Sequence, residues 1–255
     1  MPSNPQDMED LREIPDKYRK TVAGDTFLQY DSYEDEDYNL SCGRNLIFCT
    51  QENLKTLAKS QIWYVDGTFK TSPVIFFQLF AIMGSVIQVN KGIQETVALP
   101  FVYALLESKE QAAYSKVFQV TQELIQKFNI HFILPQIIMS DFEIAIVNAA
   151  EDIFGKIVRC CFFHLCQSIF RRVQNEGLQQ KYNDENDRSI KQAMQMMCAL
   201  AFVPPNRVPE FFDNLIDDVP EDFVHVADYF EVTYVRGRAA RGRRKAVSVR
   251  NPPKL

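Results

Sequence analysis

Between Gln61 and Phe154 the apolar residues change period from strand-like to helical, and this change restricts the fold more than any other feature. Three runs, QIWYVDGTF (61–69), VIFFQLFAIMGSV (74–86) and ETVALPFVYALLE (95–107), are rich in aromatic and β-branched residues and bounded by turn signals. The break at QVNKG, 88–92, predicts that the second and third form an antiparallel hairpin. Helical spacing then takes over in SKEQAAYSKVFQVTQELIQKF. There Tyr114, Val117, Phe118, Leu124, Ile125 and Phe128 share a face, and Ser108 with Gln111 reads as a capping box. QIIMSD predicts a short fourth strand. Ser140 with Glu143 reads as a second capping box before the helix FEIAIVNAAEDIF, and IVRCCFFH predicts a fifth strand.

Outside this region QENLKTLAKS (51–60) reads as a short helix, and LCQSIFRRVQNEGLQQKY as a helix that Gly177 interrupts. From about 186 to 230 the pattern is helical, punctuated by Pro204, Pro205 and Pro220. The order β-β-β-α-β-α-β followed by helices predicts an α/β protein with an RNase H-like core. In that fold a mixed sheet joins an antiparallel hairpin to parallel strands, with helices on both faces.

The 255 residues suffice for one large domain or one and a half ordinary ones. No run of about 18 or more apolar residues reads as a membrane-spanning helix, so no membrane partner is expected. MPSNPQDMEDLREIPDKYRK lacks the apolar centre of a signal peptide. Six scattered cysteines (42, 49, 160, 161, 166 and 198) are too sparse for a disulfide scaffold and suit a reducing compartment. Charge is unevenly spread. Residues 232–255 hold eight Lys or Arg and no acid, leaving 20 basic and 33 acidic residues, a net of −13, in the rest.

Asp66 and Asp141 both stand at the carboxyl ends of predicted strands. Two readings of Asp66 are open: Asp-Gly-Thr is ordinary turn chemistry with Gly67 supplying free dihedrals, or the carboxylate is one of a set holding metal ions. Asp141, after an N-cap Ser140, would sit at the first helical position, where the helix dipole favours negative charge and an Asp is routine. In an RNase H-like sheet the first and fourth strands in chain order are neighbours, so these two residues, 75 apart, would meet. Carboxylates that close repel unless a divalent cation lies between them, which is the chemistry of a two-metal phosphodiester site. The phosphatase loop D-x-D-G-T is ruled out, because Tyr64 stands where the nucleophilic Asp would be. Cys161 and His164 form C-x2-H, followed by Cys166. This is half the spacing of a zinc site, and it is equally the pattern of small buried thiols. TYVRGRAARGRRKAVSVR, with Arg236, Arg238, Arg241, Arg243, Arg244 and Lys245, suits phosphate contacts, a nuclear-import signal or a solvated linker.

Together these pieces resemble the transposase domain of Mutator-like elements (MULE), in the animal form often coupled to a FLYWCH zinc finger. The matching residues are W-Y-V-D-G-T-F-K at 63–70, P-F-V-Y-A-L-L at 100–106, S-D-F-E at 140–143 and C-F-F-H-L-x-Q at 161–167. A-L-A-F-V-P at 199–204 and Y-F-E-V-T-Y-V-R-G-R at 229–238 follow in family order. The resemblance implies a DDE (two Asp, one Glu) mechanism on an RNase H-like fold. It further implies Mg²⁺ or Mn²⁺ as cofactor, transposon ends and target DNA as partners, and a nuclear location, and it admits a homo-oligomer. Asp66 and Asp141 would be its first two acids, and Cys161 with His164 its C-x2-H signature, where zinc is the weaker expectation. It divides the chain into an acidic, loosely ordered arm at 1–44, the core at 45–164, a helical insertion at 165–231 and the basic tail at 232–255. The family's third acid is a Glu beyond a W-N motif on a last core helix. Here no Glu follows Glu231, Glu143 is accounted for by its capping box, and Glu107 sits at a strand–helix junction. Before Cys42 there is no Cys or His for a zinc finger. The expectation is therefore a C-terminally truncated domain, lacking the last core helix and inactive alone, with part of its sheet uncovered. The alternative is a transposon-derived, non-enzymatic DNA- or protein-binding module.

Overall fold

The computed structural model describes residues 5–36, 43–69, 71–90, 92–237 and 249. The chain divides into two compact units, Met1–Val158 and Arg159–Leu255. It is a mixed α/β fold built on a seven-stranded sheet. The strands are β1 (Leu28–Asp31), β2 (Asn45–Phe48), β3 (Ile62–Thr68), β4 (Gln78–Asn90), β5 (Ile93–Leu106), β6 (Ile137–Ser140) and β7 (Val158–Cys160), in the order β1-β2-β5-β4-β3-β6-β7. From β1 through β3 every neighbouring pair is antiparallel, and β3 and β6 run parallel. The three long runs read from the sequence are thus β3, β4 and β5. The hairpin pairs as far as Asn90 and Ile93, with Gly92 at φ 80° in the two-residue connection, a conformation that glycine adopts freely.

Alternation decides which face of the sheet is the core. Trp63 and Val65 on β3, Phe80 and Ile82 on β4, and Ile138 on β6 are buried on one face. Helices α2 (Gln51–Leu57), α3 (Gln111–Lys127) and α4 (Ile144–Phe154) supply the partners. Phe80 packs against Tyr114 and Phe118, Phe118 meets Phe154 edge-on, and Trp63 packs against Phe154 and Phe132. The Trp63 indole N–H is not wasted in this apolar setting; it donates to the Leu57 carbonyl at 3.2 Å. A capping box between Thr50 and Asn53 starts α2. Neither capping box read from the sequence forms. At α3 the N-cap position is Glu110, without a side-chain cap, and Ser108 Oγ accepts from the Glu110 amide instead.

The acidic stretch expected as a loose arm contributes an edge strand, because its few apolar residues have a place to go. Ile14, Leu28, Leu46 and Phe76 form a second cluster with Met8, Leu11, Phe48 and Leu105. Leu46 faces Leu105 across β2 and β5, one step out of phase with Ala104, which is opposite the core residue Phe80. The N-terminal residues therefore cover the reverse face of the sheet at this edge. Arg44 clips them down. Its guanidinium makes two bonds to Asp31 at 2.9 and 2.5 Å and one to the Leu11 carbonyl at 2.6 Å, and it lies over the Tyr33 ring.

The second unit is helical. It contains α5 (Phe162–Asn175), α6 (Gln179–Tyr182), α7 (Ser189–Ala199), α8 (Val208–Ile216) and α9 (Val224–Phe230), the last continuing as one wider π turn over Glu231–Val235. Leu165, Ile169 and Val173 recur every fourth residue on α5 and are buried, as are Met197 on α7, Phe212 on α8 and Phe230 on α9. Gly177, at φ 74°, separates α5 from α6 as its position suggested. The predicted strand IVRCCFFH is cut short, ending at Cys160 with α5 beginning at Phe162. Its aromatic and β-branched composition misled, because the four-residue period that starts at Leu165 draws Phe162 and Phe163 into the helix. Among the described residues no helix is long and apolar enough to cross a membrane.

Candidate active site

Asp66 does not lie in a turn. Strand β3 runs on through Thr68, and Asp66, Gly67 and Thr68 pair with Ala81, Phe80 and Leu79 of β4. The turn reading of Asp-Gly-Thr is therefore wrong for this chain, and so is the role it gave Gly67. A Cβ on Gly67 would collide with the Gln78 side-chain oxygen, so what glycine supplies here is room for that side chain rather than dihedral freedom. On the other side of β3, Ile62 faces Ile137, Trp63 faces Ile138 and Tyr64 faces Met139, a constant offset of 75 residues. The observed pairing ends at Tyr64 and Met139, and β6 ends at Ser140; Asp66 and Asp141 each stand two residues beyond that last pair. Carried on past Ser140, a strand spacing of about 4.8 Å would bring the two residues level at this rim of the sheet.

The loop carrying Asp141 differs from expectation. Ser140 is the last residue of β6 and is buried, and its hydroxyl lacks a hydrogen-bond partner. By the alternation of β6 it belongs to the core face, so it cannot reach back to cap a helix. Helix α4 starts at Ile144, with Glu143 in the N-cap position. Asp141 instead precedes the helix and closes a small turn of its own, in which its Oδ1 accepts from the Glu143 amide at 2.9 Å.

Glu143, freed from the capping role, points to α3. The Tyr114 hydroxyl donates to Glu143 Oε1 at 2.8 Å and accepts from Gln78 Nε2 at 2.6 Å. Burial pushes the Tyr114 hydroxyl above its ordinary range; Gln78 pulls the other way, and the Glu143 and Asp141 carboxylates add to the rise. Burial likewise raises the Glu143 carboxyl. Its bond from Tyr114 opposes that, the Asp141 charge adds to it, and Lys109 opposes it. From the sequence Tyr114 counted as one apolar residue of a helix face, and Glu143 was assigned to a capping box that does not form. The signal was available, since a tyrosine on a core face needs a partner for its hydroxyl.

Residues 62–168 match the family model described as the MULE transposase domain. No curated protein and no solved structure matches the chain. The matched segment begins with β3 and contains Asp66, Asp141, Cys161 and His164.

In the helical unit, Cys161 is the N-cap residue of α5 without a side-chain cap, and His164 follows one turn later. The His164 Nδ1 is buried without a hydrogen-bond partner. Among the described residues no group of three or more His, Cys, Asp or Glu gathers as a metal site. Of the basic tail, Arg238, Arg241, Arg243, Arg244 and Lys245 lie outside the described residues. Arg236 is described, and it holds Glu231 and Asp213 at 2.6 Å each, so a phosphate would compete with two carboxylates for it.

The donor set at the rim fits a hard divalent cation. Asp66 on β3 and Asp141 in the turn after β6 carry oxygen donors of the kind that suit Mg²⁺, which is commonly held by one or two carboxylates with water and substrate phosphate completing its shell.

Proposed function

We propose that the segment matched as a MULE transposase domain is an RNase H-like DDE catalytic core that acts on DNA ends by phosphodiester cleavage and strand transfer. The observation that supports this reading is the parallel register of β3 and β6, which, continued past the end of β6, would bring Asp66 level with Asp141 inside the matched segment. Mg²⁺ or Mn²⁺ held by these two carboxylates would activate a water or a 3′-hydroxyl and steady the leaving oxygen. The residues of the chain do the rest. Strand β3 carries Asp66, the small Gly67 leaves room beside it for the Gln78 side chain, and the turn at 141–143 orients the Asp141 carboxylate. DNA is the partner and the nucleus the place of action.

Among the described residues no third acidic, His or Cys ligand gathers with these two carboxylates, and two donors bind a cation more readily than they turn over substrate, so we expect this chain to bind Mn²⁺ without cutting DNA. The experiment is a cleavage and joining assay on labelled DNA duplexes with Mn²⁺, run beside a cation-binding titration. Binding without cleavage is the predicted pattern. Cleavage abolished by Asp66→Ala would overturn the claim of inactivity while supporting the site. Absence of cation binding would overturn the site itself.

A further inference from the structure

We infer that the buried chain of contacts Gln78–Tyr114–Glu143 is a positioning device that fixes the turn carrying Asp141 and ties it to the strand carrying Asp66. The inference rests on the reading of Asp66 and Asp141 as a cation pair, and it gives a role to Gln78 and Tyr114, which no quoted motif contains, and to Glu143.

The geometry is continuous. Tyr114 is fully buried on α3 and Gln78 is buried at the start of β4, so neither can turn to water for a partner. Each polar group placed there is unfavourable unless bonded. Gln78 Nε2 donates to the Tyr114 hydroxyl, which donates to Glu143 Oε1, while the Glu143 amide donates to Asp141 Oδ1. The Glu143 side chain is thus held from α3 while its backbone holds the Asp141 carboxylate. At the other end, the Gln78 side-chain oxygen fills the space beside Gly67, the residue after Asp66. A phenylalanine at 114 would fill the same core volume against Phe80. The hydroxyl is therefore what this position adds, and it is aimed at the Asp141 turn.

A purely structural role would lower stability everywhere, whereas a positioning role loosens one turn. The experiment measures amide hydrogen exchange and Mn²⁺ affinity, the latter by electron paramagnetic resonance, on the wild-type chain and on Tyr114→Phe, Glu143→Ala and Glu143→Gln. In Tyr114→Phe and Glu143→Ala, loss of one hydrogen bond should speed exchange at the residue-143 amide about tenfold. Amides of β4 should keep wild-type protection. Glu143→Gln keeps a carbonyl for the Tyr114 hydroxyl and should stay within about threefold of wild type. Mn²⁺ affinity should fall in the same order. An unchanged residue-143 amide in Tyr114→Phe, or Glu143→Gln as damaging as Glu143→Ala, would overturn the inference. If Tyr114→Phe unfolds, the contrast between the two Glu143 variants still decides. The predicted exchange pattern in a wild-type chain that binds no Mn²⁺ would support the positioning role and overturn the cation reading alone.

Discussion

At the scale of single residues, the site depends on how closely polar groups approach in a dry setting. Gly67 and Gln78 compete for one volume, so Gly67→Ala must displace an amide that Tyr114 holds in place. Overpacking of this kind costs about 1–3 kcal/mol. We expect a urea midpoint shift of that size, and the double variant Gly67→Ala/Gln78→Ala should lose less than the sum of the two single variants, because they share the contact. Burial also separates the cysteines into two classes. It pushes the Cys49 thiol up to about 12 and raises Cys198 as well, where Cys166 contributes further. Since the thiolate is the nucleophile, both stay protonated and inert at pH 8. Cys161 and Cys166 are partly exposed. Mass spectrometry after alkylation at pH 8 should find these two modified in the native chain, with Cys49 and Cys198 modified only after unfolding.

At the scale of elements, the Arg44 clip joins the N-terminal residues to the sheet. Both side chains of the Arg44–Asp31 pair are almost fully buried, at 0% and 4% exposure. Removing one partner leaves an unpaired buried charge, for which about 3–5 kcal/mol is typical. Arg44→Met should therefore lower the melting temperature sharply, while the paired change Arg44→Met/Asp31→Leu should recover part of the loss. None of this was legible in DSYEDEDYN or the residues before it, because acidic composition reports low local propensity and says nothing about a partner 13 residues away. The strands from Ile62 to Leu106 were legible, since aromatic and β-branched alternation is a local signal. Their pairing with β6 followed from the element order. The caps failed for a physical reason: Ser140 satisfies the sequence rule, but its place on a buried strand face removes it from the helix end. Asp66 became a candidate through an expected place at a strand end, although β3 runs on to Thr68, whereas Gln78, Tyr114 and Glu143 are linked only by tertiary contacts.

At the scale of the molecule, an α/β unit carries Asp66 and Asp141 and a helical unit carries the C-x2-H residues Cys161 and His164. The family match at 62–168 takes in all of these residues. The central claim concerns the first unit alone: Asp66 and Asp141 act together as one cation site. A double-mutant cycle reads this directly, because residues that share a ligand do not contribute independently. The measurement is the Mn²⁺ affinity, by electron paramagnetic resonance, of the wild-type chain, Asp66→Asn, Asp141→Asn and the double variant. The account predicts saturable binding in the wild type, a loss of about tenfold or more in either single variant, and little further loss in the double. Wild-type binding that survives both substitutions, or single losses that simply add, would contradict a shared site at the rim of the sheet.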